Sequence, residues 1–92
     1  MCRQLIVVTQ LDLAGVTITG RNASRDRAQL ENKLKEALAK LDVGVLDGAI
    51  GKLIGFRGKV LDLLSAKKIS QADANLLIDD VDAAISCLDD LI

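Results

Sequence analysis

Cys2 and Cys87 are the only residues in this chain whose side chains could supply thiol or redox chemistry. There is no His, so neither a thiolate nor a hydroxyl has the usual general base beside it. Two thiols without His do not complete a structural zinc site from this chain alone. No Ser sits in a G-x-S-x-G setting, and the glycines match neither G-x-G-x-x-G nor the Walker pattern. Composition therefore argues against an enzyme and gives no residue set for a cofactor or metal. For the cysteines two readings stay open. One is a single disulfide formed in an oxidising compartment; the other is a pair of small, inert hydrophobes in a reducing one.

Three further groups carry chemistry by type and spacing. Asn22-Ala23-Ser24 is an N-glycosylation acceptor triplet, which makes Asn22 a candidate modification site. Ser24 equally suits a helix N-cap, with Asp26 well placed in the first turn. Residues 69–92 hold six Asp and no basic residue. Calcium needs oxygens at alternating loop positions, whereas Asp79-Asp80-Val81-Asp82 lies in a helical pattern that splays its carboxylates, so these read as a solvated acidic face. The third group is Gly44, Gly48, Gly51, Gly55 and Gly58, spaced 4, 3, 4 and 3, which align as one helical stripe. Each glycine inside a helix costs about 1 kcal/mol relative to Ala. Gly48, Gly51, Gly55 and Gly58 are read first as a surface for close helix–helix approach, within this chain or to another, and second as a solvent-exposed face with tolerated glycines. Lys52 and Lys59 flank that stripe and would suit an anionic partner.

The elements that must position these groups are helices. Half of the 92 residues are hydrophobic, Phe56 is the single aromatic, and there is no Pro, so the core is aliphatic and the chain favours helix. Residues 25–42 place Leu30, Leu34, Ala37, Leu38 and Leu41 on one face, with Glu31–Lys35 and Glu36–Lys40 as i, i+4 pairs. Gly44 stands where a left-handed helix stop belongs. Residues 45–66 form the glycine-striped helix, with Arg57 at the margin of its apolar face, where it snorkels or pairs with an Asp of the last helix. Ser70 and Asp73 have capping-box spacing and open that last helix, 71–91. Residues 1–20 are ambiguous. Leu5–Val8 and Val16–Thr19 are rich in β-branched residues, so a hairpin and a short helix at 4–11 both fit. The expected fold is all-α: one domain, an antiparallel three-helix bundle over 25–92, with residues 1–24 as an N-terminal segment and loop packed on it.

The net charge is −1, which gives no reason to expect nucleic acid. It is segregated, with eleven basic against six acidic residues over 21–68 and the six Asp beyond, a pattern that predicts the two regions pack together. No apolar run reaches the ~20 residues of a membrane span. Leu5–Val8 is too short for a signal-peptide core, so an exported form would take its signal from outside these residues.

From Leu30 onward the sequence resembles the FIMAH family of small helical modules. The shared positions are Lys33-Leu34, Ala37-Leu38, Leu41, Gly44, Ala49, Leu53, Phe56 and Val60. They continue with Lys68-Ile69, Gln71-Ala72-Asp73-Ala74, Leu77-Ile78, Ile85 and Leu88. Leu5-Ile6 and Leu11–Val16 are loosely similar to the family's opening helix and turn. Gly48, Gly51, Gly55 and Gly58 depart from its usual polar residues. The resemblance implies a non-catalytic accessory module of an extracellular or cell-surface protein with no established ligand, and export would permit a Cys2–Cys87 disulfide; protein or glycan contacts are the leading expectation for such a module. Two other functions fit the residues: a structural assembly subunit packing through the glycine face, and a small cytoplasmic helical adaptor or regulator.

Overall fold

The computed structural model describes all 92 residues and contains four helices and no strand. These are α1 (Cys2–Gly15), α2 (Ala23–Asp42), α3 (Leu46–Ser65) and α4 (Gln71–Asp89). Each packs on two neighbours in the cyclic order α1–α2–α3–α4, and α1 and α3 lie diagonally opposite without contact. The chain runs up and down, so sequential helices are antiparallel and α1 and α4 are too. The result is an elongated bundle of 38 × 21 × 19 Å.

The three helices expected over 25–92 are present, and the ambiguous N-terminus is the fourth. Residues 2–15 are helical, not a hairpin, despite Ile6, Val7, Val8 and Thr9. The reason is burial. Cys2, Ile6, Thr9 and Leu13 recur at helical spacing and all point inward, and tertiary packing outweighs the local β preference. Thr9 is wholly buried, and its hydroxyl donates to the Leu5 carbonyl at 2.9 Å within the same helix. After Gly15 the chain turns extended. Val16 and Ile18 bury against the core while the Thr19 N–H donates to the Lys68 carbonyl at 2.8 Å, tying this crossing to the α3–α4 turn.

The core is aliphatic around Phe56, with Leu30, Leu34, Leu53, Val60, Leu77, Val81 and Leu88 fully buried. Both inner helix ends close with paired 6→1 and 5→2 bonds. Val45 N–H reaches Lys40 O and Gly44 N–H reaches Leu41 O; Lys68 N–H reaches Leu63 O and Lys67 N–H reaches Leu64 O. The left-handed residue is Gly44 (φ 77°) in the first and Lys67 (φ 60°) in the second. Ser70 caps α4, its Oγ accepting from Asp73 N–H at 3.1 Å. Asp73 does not complete the box; its carboxylate accepts from Thr17 N–H at 3.3 Å. Ser24 is not a cap. Asn22 holds that position, without a side-chain cap bond, and Ser24 falls inside the first turn of α2.

Candidate interaction site

The glycines do not form one continuous surface. Gly48 and Gly55 face α2 and are covered from within the chain. The Lys40 stem lies 3.0 Å from where a Gly48 Cβ would stand, and the Lys33 stem 3.4 Å from a Gly55 Cβ. Gly51 and Gly58 sit on the next row of the helix surface, with nothing within 4 Å. Between and beyond them stand Ile54, 55% exposed, and Leu61, 39% exposed. The outward face of α3 is therefore a row Gly51, Ile54, Gly58, Leu61, in which a notch and an apolar knob alternate. Ile54 and Leu61 belong by period to the apolar face of α3, yet the bundle leaves them exposed. The missed signal was an apolar arc too wide for one helix to bury completely: eleven apolar positions between 45 and 64.

The flanking lysines are engaged at home. Lys52 pairs with Glu36 of α2 at 3.3 Å, and Lys59 with Asp26 of α2 at 3.1 Å. Glu36 thus reaches across to α3, not along its own helix to Lys40. Asp26 is nearly buried and also faces Lys68 at 3.7 Å. The hydrogen bond from Lys59, opposed by burial and reinforced by the charges of Lys59 and Lys68, holds its carboxyl below the ordinary 3.8. Arg57 pairs with Asp82 of α4 at 2.9 Å, as its position on α3 predicts.

On the other side of the bundle, Cys2 and Cys87 are joined as a disulfide, with Cα atoms 5.6 Å apart. Asp80 departs from the solvated face expected for the acidic helix. Its Oδ2 is buried, and burial first, then Asp12 of α1 and Asp79, push its carboxyl up to about 7. Arg27 of α2 donates to the carbonyls of Leu13, at 2.6 Å, and Val16, closing the C-terminal end of α1. Asn22 is exposed at the start of α2, on the surface where its side chain is accessible. No three His, Cys, Asp or Glu side chains cluster as a metal site, and no helix is long and apolar enough to cross a membrane.

Comparison with known proteins returns no matching family model, no matching curated protein and no matching solved structure.

Proposed function

We propose that this chain is a non-catalytic helical interaction module of an extracellular or cell-surface protein, and that it binds through the outward face of α3. One observation carries the reading: Gly51, Ile54, Gly58 and Leu61 form an open row of notches and apolar knobs that no part of this chain covers. Glycine in a helix is costly, and at these two positions the bundle itself gains nothing from it. The disulfide fits an oxidising compartment, in keeping with the resemblance of residues 30–88 to exported FIMAH modules. The partner is a protein surface with an apolar ridge, not an anionic one, because Lys52 and Lys59 are already paired.

Self-assembly is the second reading, and the spacing favours it. When two copies of α3 are laid antiparallel and centred at position 56, Ile54 falls opposite Gly58 and Leu61 opposite Gly51 of the other copy. Every knob then meets a notch. Light scattering after size exclusion separates the readings: a concentration-dependent dimer supports self-assembly, and a monomer leaves the heterologous partner. Gly51→Ala with Gly58→Ala fills both notches. Loss of dimer, or loss of capture of surface proteins from the same source, is the expected result. A pair of variants that are more stable and unchanged in every association would overturn the assignment of this face. Non-reducing mass spectrometry of native material reports the compartment, and fully reduced cysteines there would sink the extracellular reading.

A further inference from the structure

The seam between α1 and α4 differs from the others in having no cation in it. Asp12 of α1 acts on Asp80 of α4 across it, and Asp80 Oδ2 is buried without any N–H or O–H donor from the protein. Two carboxylates in that position repel. One proton held between them removes the repulsion and supplies the missing donor. The charged groups acting on Asp80 are Asp12 across the seam and Asp79 beside it. Basic side chains on the neighbouring elements are engaged elsewhere: Arg57 of α3 with Asp82, Arg27 of α2 with the Leu13 and Val16 carbonyls, Arg3 of α1 with Asp42. Nothing replaces the proton when it leaves.

The second link across this seam is covalent. Cys2 and Cys87 join the start of α1 to the last turns of α4, beside an open hollow lined by Met1, Arg3, Leu41 and Leu91. Otherwise α1 is held by Ile6, Thr9 and Leu13, its fully buried side chains, and at its two ends by Arg3 on Asp42 and Arg27 on the Leu13 carbonyl. α2, α3 and α4 share the larger core around Phe56 and contact one another in sequence without α1.

We propose that α1 is a releasable helix, locked onto the α2–α4 core by the Cys2–Cys87 bridge and by a proton shared between Asp12 and Asp80, and freed when a dithiol reduces the bridge while both carboxyls are ionised. The dithiol supplies two electrons and two protons. The S–S bond breaks, Cys2 and Cys87 become thiols, and the dithiol closes into its own disulfide. The carboxyl proton passes to solvent. With both locks open, α1 swings away and uncovers the apolar surface that Ile6 and Leu13 cover, including Leu34. This device does not depend on which partner α3 takes.

Hydrogen exchange read by mass spectrometry on the full chain tests it, at pH 5.5 and 8.5, with the bridge intact or reduced beforehand with dithiothreitol. Rates are normalised to the intrinsic chemistry at each pH. In the reduced protein, amides of residues 5–14 are expected to lose about 10-fold or more of their protection at pH 8.5 relative to pH 5.5, while those of α2–α4 hold. With the bridge intact, that change falls to under about 3-fold. In reduced Asp80→Asn, and independently in reduced Asp12→Asn, the pH response of α1 disappears. The proposal is overturned if α1 exchanges in step with α2–α4, if the oxidised protein responds as strongly as the reduced one, or if the response survives in either Asn variant that folds.

Discussion

Two seams of this bundle, α2–α3 and α1–α4, are built on opposite principles. Between α2 and α3 the contact is charge-complementary. Lys33 and Lys40 lay their stems over Gly55 and Gly48, while Lys52 meets Glu36 and Lys59 meets Asp26. Between α1 and α4 no opposite charges pair; the polar links there are a disulfide and a carboxyl pair, beside the apolar packing of Ile6 and Leu13. The consequence is opposite responses to pH. Asp26 is held below its ordinary 3.8, so what it contributes is complete at neutral pH and is lost as pH falls through the acid range. Asp80 is raised to about 7, so the seam carries no penalty below about 3.8 and an increasing one as pH climbs toward 7, complete above it. Each seam is weakest where the other is at full strength.

The largest expected effect breaks the covalent half of the comparison. Cys2→Ser removes a bridge spanning 85 residues of sequence and should cost about 3–4 kcal/mol in urea unfolding at pH 7. A loss below about 1 kcal/mol would mean that α1 hardly depends on the bridge. Next, Asp80→Asn should raise stability by about 1–2 kcal/mol at pH 8 and leave it unchanged at pH 4. Asp26→Asn should act in the reverse sense, destabilising at pH 7 and converging on the parent chain near pH 3. Parallel pH profiles for the two variants would dissolve the contrast between the seams. Ser70→Ala removes an α4 cap lying on neither seam and should cost about 1 kcal/mol equally in oxidised and reduced protein. The smallest effects sort the glycines. Gly51→Ala and Gly58→Ala, each facing open space, should stabilise by about 0.5–1 kcal/mol apiece. Gly48→Ala should gain nothing, because its new Cβ meets Lys40 and Val45 at 3.0 Å.

Where spacing and chemistry agreed, the fold was legible from the residues. Leu30, Leu34 and Ala37, or Leu77, Val81, Ala84 and Leu88, mark their helices by period alone, and Gly44 and Ser70 announce their caps. The N-terminus was not legible, because Leu5 to Val8 favours strand locally and only the presence of a core for Ile6 and Leu13 decides for helix. Lys67 in a left-handed turn has no sequence signal; it stands where the 6→1 and 5→2 bonds that close α3 call for a left-handed residue. The candidate surface was half legible. The glycine stripe stood out, but which glycines α2 covers depends on where Lys33 and Lys40 lie, and that is set by packing. Asp80 was illegible for the same reason. Its surroundings are created by a helix more than sixty residues away in sequence.

The Cys2–Cys87 bridge also has a mechanical consequence. It joins Cys2 to Cys87, so the backbone between them is a closed ring. A pull applied from outside that ring, through residues before 2 and after 87, runs straight across one S–S bond and puts no load on the helices inside. Cutting that bond would lengthen the load path to the whole bundle, and α1 and α4, the two helices at its ends, would carry the load together.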